Sequence, residues 1–250
     1  MDLKSPIKKK NKHDNLPYSF SFLGTDMHSH LIPGIDDGSP SVETSLMLIM
    51  AMHQMGYNKI ITTPHIMQGY YPNDRSTILP GCELLQRELE ARNIPVRLYA
   101  AAEYFLDAGL IEAIQRNEAL LTLSGKKLLV EISFVAPPIQ LHDFLYQLQL
   151  KGYEPIIAHP ERYAYYHRNM DEYKKLIDIG CELQLNLLSL TGHYGKNVKK
   201  AALKLLNQQW VAYLGTDLHH QRHAENLQRL LHDHALVRKL KQYSWKNDTL

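Results

Sequence analysis

The 250-residue chain is poor in cysteine, in net charge and in long apolar runs. Its two cysteines, Cys82 and Cys181, exclude a disulfide framework and a zinc site built from paired CxxC motifs, and they are consistent with a reducing compartment. No apolar run approaches the roughly 18 residues that a membrane-spanning helix needs. The basic residues near the N-terminus lack the apolar segment that follows such residues in a signal peptide. These absences predict a cytoplasmic protein without membrane insertion.

The formal net charge of only +2 argues against a strong general attraction to nucleic acid. Much of the excess positive charge lies in one basic run, residues 8–12, which is typical of a solvated tail. We therefore predict a basic flexible tail over residues 1–20. A chain of this length suits one large α/β domain, which we predict over residues 21–250.

Histidine, by contrast, is abundant: the chain has 14, and several of them follow short apolar segments. Seven such segments recur along the chain, and most of them end in a residue that can bind a metal ion. They are residues 20–26, 59–63, 96–102, 127–130, 154–158, 181–186 and 210–216. Near-continuous apolar runs of this length indicate strands that are buried on both faces.

Helical patterns lie between these segments, over residues 41–55, 79–91, 141–150, 170–179, 197–206 and 224–240. Gly56, Gly152 and Gly180 follow three of them, at the position where helices commonly end. Strands that alternate with crossover helices run parallel in a sheet. We predict a single α/β domain folded as an irregular barrel of about seven β/α units, and a doubly wound open sheet is the alternative.

Potential metal ligands gather at the predicted carboxyl ends of the strands, where parallel sheets place their functional groups. His28 and His30 lie two residues apart, so both imidazoles face one side of the strand, and Asp217 and His219 form a second such pair. The remaining candidates are His65, Glu103, Glu131 and His159 at other strand ends, with Asp36 or Asp37 on the loop after the first strand. Each residue has a plausible structural role by itself. Because buried carboxylates are rare unless they are paired or bound to metal, the combination predicts a metal site.

About nine nitrogen and oxygen ligands are too many for one ion and suit three. The absence of a thiolate among them excludes structural zinc of the cysteine type, and the mixed set suits manganese, iron, zinc or cobalt. Neighbouring metal ions activate water and stabilise in-line displacement at phosphorus, so this set predicts phosphate-ester hydrolysis. Arg162 and Arg222 follow His159 and His219 closely, and a guanidinium group matches a phosphate with two hydrogen bonds.

A cysteine-dependent tyrosine phosphatase would need a Cys-x5-Arg loop. Arg87 lies one position too close to Cys82, in an apparent helix, and no arginine lies near Cys181. Both cysteines are therefore interpreted as structural residues.

The motifs DMHSH, PGIDDG, TPH, AAEY, HPER and GTDLH, in this order, resemble the PHP (polymerase and histidinol phosphatase) superfamily over residues 26–219. The closer resemblance is to its bacterial branch of manganese-dependent protein-tyrosine phosphatases, which is linked to capsular and exopolysaccharide synthesis. Residues 189–195 also resemble that branch. Any single motif is unspecific, whereas their combination is specific.

The resemblance implies a trinuclear centre, in which manganese is expected and iron, zinc, cobalt or magnesium are alternatives. It assigns His28, His30 and Asp217 to the first ion, Glu103 as a bridge to the second, Glu131 and His159 to the second, and Asp37, His65 and His219 to the third. Arg162, Arg222 and Asp37 are the predicted catalytic residues, with the two arginines on the phosphate while a metal-bound hydroxide attacks phosphorus. The implied partner is a phosphotyrosine protein, namely a bacterial tyrosine kinase with a tyrosine-rich tail.

Three other functions stay open at this point. A small-molecule phosphatase, such as one acting on histidinol phosphate, would share the same ligands. A nuclease or proofreading function is disfavoured by the near-neutral charge and by the lack of further domains. A metal-binding regulatory protein without turnover is disfavoured by the complete ligand set.

Overall fold

The computed structural model of the protein describes residues 18–250, where nine short strands and nine α-helices follow one another. The strands are β1 (Thr25–Asp26), β2 (Lys59–Thr62), β3 (His65–Ile66), β4 (Arg97–Ala100), β5 (Glu103–Phe105), β6 (Lys127–Glu131), β7 (Glu154–Ala158), β8 (Glu182–Asn186) and β9 (Tyr213–Gly215). The helices are α1 (Val42–Gln54), α2 (Arg75–Ala91), α3 (Ala108–Gln115), α4 (Leu141–Leu150), α5 (Asp171–Asp178), α6 (Leu187–Thr191), α7 (Lys196–Asn207), α8 (Gln221–Leu231) and α9 (His234–Leu240).

The strands form two parallel sheets, one in the order β1-β2-β4 and the other in the order β3-β5-β6-β7-β8-β9. Two residues separate β2 from β3, and two separate β4 from β5, so the chain continues from the end of each of these two predicted strands into a short strand of the other sheet. All pairs between the named strands are parallel, as the alternation of strands and helices predicted.

The chain segments that follow β1 and β9 lie side by side. Ser29 and Leu218 form an isolated parallel bridge, and the Asp217 N–H donates to the His28 carbonyl over 2.7 Å. On the other side, the Thr63 N–H donates to the Ser29 carbonyl over 2.7 Å. The segments that follow the first and last strands are therefore joined by one isolated bridge rather than by a continuous ladder of hydrogen bonds. The predicted α/β fold with parallel strands is confirmed, as two parallel sheets.

Alternate residues of the strands belong to two buried clusters. Ile60, Leu128 and Ile157 belong to the larger cluster, which includes most of the buried helix residues. Their neighbours Ile61 and Leu129 belong to a smaller cluster, together with Ile156, Ala158 and Tyr213. Successive side chains of a strand point to opposite faces, so these strands are buried on both faces, as their apolar runs predicted.

The prediction of a first strand over residues 20–26 is mostly wrong. Residues Ser21–Leu23 form a 3-10 turn, and only Thr25–Asp26 pair as a strand. Phe20 is fully buried, and the Tyr18 ring stacks on His234 with 4.4 Å between centroids, so the packed chain already includes residues 18–20 of the predicted tail. The rest of that tail, residues 1–17, lies outside the described residues.

The helices depart from prediction where local capping decides the boundary. Helix α2 begins four residues earlier than predicted, because Asp74 accepts hydrogen bonds from Ser76 N and Thr77 N while the Thr77 hydroxyl accepts one from Asp74 N. The helix predicted over residues 224–240 is two helices, the second capped by Asp233. Helices α3 and α6 were not predicted. Within residues 18–250, no helix is long and apolar enough to cross a membrane.

Candidate metal centre

The nine predicted ligands come together where the strands lead into their loops. His28 and His30 follow β1, His159 follows β7, and Asp217 and His219 follow β9. His65 and Glu103 begin β3 and β5, Glu131 ends β6, and Asp37 lies on the loop before α1. Six of the nine are at most 7% exposed, namely His28, His30, Glu103, Glu131, His159 and Asp217. The side chain of Asp37, at 53% exposed, lies at the edge of the group.

Two of these residues have an unusual backbone conformation. His159 (φ +32°) and Asp217 (φ +49°) lie in the left-handed region, which non-glycine residues rarely adopt. The His159 N–H donates to Gln184 Oε1 over 3.2 Å, and the His159 carbonyl accepts from Arg162 N over 2.9 Å. Such conformations persist where the surroundings over-determine them, and they are concentrated at functional sites.

The first group of potential ligands consists of His28, His30, Glu103 and Asp217, all buried. His28 Nε2 lies 3.1 Å from Glu103 Oε2 and 3.4 Å from Asp217 Oδ1. His30 Nε2 lies 3.3 Å and 3.5 Å from the same two atoms. Ligands at tetrahedral angles around an ion are roughly 3.4 Å apart, so these separations suit one ion.

The second group is His65, Glu103 and Glu131, and His159 lies next to it. His65 Nδ1 is 3.2 Å from Glu103 Oε2 and 4.0 Å from Glu131 Oε2. His159 Nε2 is 3.0 Å from Glu103 Oε1 and 3.5 Å from Glu131 Oε1. Glu103 is thus shared between two groups, which is the position of a bridging carboxylate.

The third group is His30, Asp37, His65 and His219. Asp37 Oδ1 lies 3.5 Å from His65 Nε2 and 3.5 Å from His219 Nε2. The adjacent Asp36 is directed elsewhere: it accepts hydrogen bonds from His30 Nδ1 over 2.8 Å, from Gly38 N and from His65 N. Asp36 therefore orients the cluster, while Asp37 faces it.

The tautomers of three histidines indicate what the cluster holds. In each of these residues the Nδ1–H donates a hydrogen bond. The acceptor is Gln184 Oε1 for His28 (2.9 Å), Asp36 Oδ2 for His30 (2.8 Å) and the Asp217 carbonyl for His219 (2.9 Å). Gln184 Oε1 is assigned as an acceptor because it also accepts the His159 N–H. Each ring then directs its Nε2 atom at carboxylate oxygens. Lone pairs and carboxylates are stable at such distances only with a proton or a metal ion between them, and ligating histidines commonly have this outer hydrogen bond.

The charge of the site also suits cations. Four carboxylates, those of Asp37, Glu103, Glu131 and Asp217, face a cavity in which Arg162 is the only arginine or lysine that residues 18–250 contribute. Glu103 Oε2 is buried and accepts no hydrogen bond within residues 18–250. Burial and the neighbouring Glu103 carboxylate raise the pKa of Glu131 well above its ordinary value. Buried charges of one sign are stable when they are paired or coordinate metal, so this donor set fits divalent ions.

Arg162 is held rigidly at the edge of the cluster. Its Nη1 donates to Asp217 Oδ2 over 2.9 Å, and its guanidinium lies 4.6 Å from the Phe134 ring centroid and 4.3 Å from that of Tyr194. The side chain remains 23% exposed and lines a cavity of about 280 Å³ above the cluster. A planar guanidinium held in this way can present its remaining donors to a phosphate.

Arg222, the second predicted phosphate ligand, is placed differently. It lies exposed in the first turn of α8 and does not line the cavity above the cluster. Two histidines of the same region, His220 and His223, do line it. The role of Arg222 therefore stays a prediction.

Several residues of the site were missed by the sequence analysis. Gln184 orients His28, and Asn186 Nδ2 donates to Asp217 Oδ2 over 2.8 Å. Glu161 Oε1 accepts from Asn186 N over 3.0 Å and from the Ser189 hydroxyl over 2.6 Å. The signal was the two amide side chains at alternate positions of β8, which place both on one face of a buried strand.

The cysteines lie as the sequence analysis expected. Both are free and buried, and burial raises the pKa of the Cys82 thiol to about 11 and that of Cys181 to about 12. Since the thiolate is the nucleophile in cysteine chemistry, neither residue is suited to that role.

Comparison with known proteins agrees with this geometry. Residues 24–241 match the family described as capsular polysaccharide synthesis, CpsB/CapC. The chain belongs to this family. The resemblance to capsule-linked tyrosine phosphatases is thereby confirmed.

Individual relatives share about three quarters of their length with the chain. They include tyrosine-protein phosphatase YwqE of Bacillus subtilis, 29% identical over 78% of this chain and 76% of the relative. The putative tyrosine-protein phosphatase CapC of Staphylococcus aureus is 30% identical over the same shares. Tyrosine-protein phosphatase CpsB of Streptococcus pneumoniae is 30% identical over 78% of this chain and 82% of the relative.

Solved structures agree as well. A crystal structure reported for YwqE from Bacillus subtilis and CpsB from Streptococcus pneumoniae, described as metal-dependent tyrosine phosphatases, superposes with a TM-score of 0.75 and 27% identity. The superposition covers 86% of this chain and 94% of the chain in the crystal structure. The lactonase Lmo2620 of Listeria monocytogenes, at a TM-score of 0.51 and 10% identity, shares the fold alone.

Proposed function

We propose that the protein is a metal-dependent protein-tyrosine phosphatase that hydrolyses phosphotyrosine to tyrosine and phosphate. The observation that carries the proposal is the set of Nε2 atoms of His28, His30 and His219, which face carboxylates while the Nδ1 atom of each ring has its own hydrogen-bond partner. The family relationship and the metal-dependent tyrosine phosphatases among its relatives support the same activity.

The proposed centre holds three divalent ions, with manganese as the first candidate. His28, His30 and Asp217 would bind the first ion, and Glu103 would bridge to the second. Glu131 and His159 would complete the second site, and Asp37, His65 and His219 the third. The three overlapping groups of potential ligands support this number.

Divalent ions in such a cluster supply Lewis acidity to the phosphoryl oxygens and make water a nucleophile at neutral pH. The chain itself contributes binding and orientation. Arg162 would hold two phosphate oxygens while Asp217 and the two flanking rings keep its guanidinium in place. In the reaction the bond from phosphorus to the tyrosine oxygen breaks, and a bond from phosphorus to the oxygen of water forms.

The cavity favours an aromatic phosphate ester. Three aromatic residues line it around the cluster, namely Tyr71, Phe134 and Tyr194. Its volume of about 280 Å³ admits one phosphorylated side chain. Aromatic walls can pack on the phenyl ring of phosphotyrosine, since offset and edge-on ring contacts are favourable.

The proposed partner is a bacterial tyrosine kinase that is itself phosphorylated on tyrosine. This follows from the capsular polysaccharide synthesis family and from the tyrosine phosphatases among the relatives. A small-molecule phosphatase would use the same ligands, so the substrate has to be tested directly.

The test compares phosphate release from a phosphotyrosine peptide and from histidinol phosphate, with manganese present. The proposal predicts turnover of the peptide and little of histidinol phosphate. His159→Ala should abolish peptide turnover because it removes a proposed ligand. His142→Ala, an exposed histidine on α4, is the matched control and should retain it. A preference for histidinol phosphate would overturn the proposal that the substrate is a phosphotyrosine protein. Absence of turnover while metal is bound would overturn the proposal that the protein is a phosphatase.

A further inference from the structure

A second and larger depression adjoins the catalytic cavity. It has a volume of about 560 Å³ and lies between the loop after β3 and helix α3. Two residues, Met67 and Tyr71, line both this groove and the cavity above the metal cluster. The Tyr71 ring stacks on His65 with 5.1 Å between centroids, so one aromatic side chain borders the groove and contacts a proposed ligand.

The walls of this groove are already in place. The loop at residues 67–71 is closed by hydrogen bonds from Met67 N to the Tyr71 carbonyl (3.0 Å) and from Tyr71 N to the Met67 carbonyl (2.9 Å). Asp107 caps α3 through Leu110 N (3.0 Å) and also accepts from Gln68 N (3.0 Å). The loop and the helix are therefore tied together, and binding in the groove needs little ordering of the protein.

The lining of the groove combines apolar and charged side chains. Ile66, Tyr104, Leu110, Ala113 and Leu120 contribute apolar surface, and Tyr104 and Leu110 are buried. Arg75, Arg116, Asp74, Asp107 and Glu118 also line it, so the lining has one more acidic than basic side chain. The apolar part of such a lining selects an apolar group.

The occupant follows from the size of the neighbouring cavity. At about 280 Å³ it admits a phosphorylated side chain but not the residues next to it in a protein. A phosphotyrosine bound there would leave its main chain at the mouth of the cavity, beside Met67 and Tyr71. We propose that the groove binds apolar residues flanking the phosphotyrosine of the protein substrate. This inference rests on the proposed phosphatase function.

The test compares three substrates: a phosphotyrosine peptide with leucines on both sides of the tyrosine, one with serines there, and free phosphotyrosine. Ala113→Phe fills the groove from α3. It should raise KM for the leucine peptide about tenfold, as expected for losing an apolar contact, with kcat and the turnover of free phosphotyrosine unchanged. Ala108→Phe places the same side chain at an exposed position of α3 outside the groove, and it should leave all three substrates unaffected.

Leu120→Ser provides a second variant, in case phenylalanine at 113 disturbs folding, and thermal unfolding of each variant checks the fold. It should also raise KM for the leucine peptide selectively. An unchanged leucine-to-serine peptide preference in both variants would overturn the groove as a substrate site. So would an equal loss on all three substrates, which would place the effect in the catalytic cavity. No turnover of any substrate by the wild-type protein would overturn the proposed function itself.

Discussion

Three imidazoles of the cluster depend on hydrogen-bond acceptor atoms that are not themselves proposed metal ligands. Gln184 and Asp36 fix the rings of His28 and His30, and the Asp217 carbonyl fixes His219. Partners of this kind orient the ring and raise the basicity of the ligating nitrogen. The site is therefore sensitive to residues beyond the nine proposed ligands.

The two adjacent aspartates make this testable. Asp37→Ala should remove the third ion, because it deletes a proposed ligand. Asp36→Ala should keep the number of ions at saturating metal but lower metal affinity about 10–100-fold, because it releases His30. Metal content by mass spectrometry and affinity by calorimetry separate the two effects. If Asp36→Ala lost the ion and Asp37→Ala retained it, the two roles would be exchanged.

Arg162 should be the principal phosphate ligand. Arg162→Ala should lower kcat/KM for a phosphotyrosine peptide on the order of 100-fold, because it removes a preorganised cationic donor. Arg162→Lys should recover only part of this, since lysine lacks the planar fork. Arg229→Ala, on the exposed side of α8, is the control and should change kcat/KM less than twofold, the order expected of a surface substitution.

Arg222 is a separate case, because the sequence assigned it the same role. Its exposed position outside the cavity predicts a much smaller loss for Arg222→Ala than for Arg162→Ala. Steady-state kinetics with both variants decides the point. An equal loss would show that Arg222 reaches the phosphate when substrate is bound.

The nine proposed ligands could be predicted because parallel strands place their carboxyl ends at one edge of a sheet. Gln184, Asn186 and Asp36 could not be predicted in the same way. Their roles depend on which strands are neighbours and on which oxygen atom faces which imidazole ring. The periodicity of apolar residues in the sequence shows neither of these. The exposed position of Arg222 likewise depends on the direction in which α8 leaves β9.

At the scale of elements, the loop between β1 and α1 passes unusually close to the cluster. A Cβ atom at Gly38 would lie 2.3 Å from the His30 carbonyl oxygen and 2.4 Å from its Cβ. Only glycine permits this approach, which brings Asp36 and Asp37 to the metal ligands. The PGIDDG motif drew attention to this loop but not to the contact that requires the glycine.

Gly38→Ala should therefore disturb the site as well as the fold. The added methyl group should destabilise the protein by about 1–3 kcal/mol, as overpacking of a tight contact does, and should weaken metal binding. Thermal unfolding and manganese calorimetry measure the two effects. A variant with wild-type stability and wild-type metal affinity would show that the loop can move away without consequence.

Helix boundaries show where sequence patterns stop being informative. The periodic helices α1, α4, α5 and α7 were predicted within about one or two residues, the usual scatter of helix ends. Helices α3 and α6 have eight and five residues, so apolar periodicity had little length in which to show. The start of α2 depends on reciprocal hydrogen bonds between Asp74 and Thr77, which outweigh the apolar pattern that begins at Leu79.

At the scale of the whole molecule, the cluster of proposed metal ligands joins the first, middle and last strands. His28, Glu131 and Asp217 come from segments far apart in sequence, yet they face one another at the same end of the sheets. Without cations, the Glu131 carboxylate is repelled by those of Glu103 and Asp217. Bound ions should therefore stabilise the entire fold.

Manganese should raise the unfolding temperature measurably. Ligand at 100 times its dissociation constant adds about 2.7 kcal/mol per site, and for a domain of this size that corresponds to about 5–10 °C. Differential scanning fluorimetry with manganese and with EDTA measures the shift. The His159→Ala variant should show a smaller shift, and an unchanged wild-type melting temperature would mean that the cluster does not bind manganese in the folded state.

The most direct test of the account is a metal titration of activity. The protein is stripped with EDTA, dialysed, and supplied with increasing manganese while phosphate release from a phosphotyrosine peptide is followed. The protein stripped of metal should release no phosphate from the peptide. Its activity should return as manganese is added and should then saturate. Full turnover by the stripped protein, with metal analysis showing no bound ion, would contradict it.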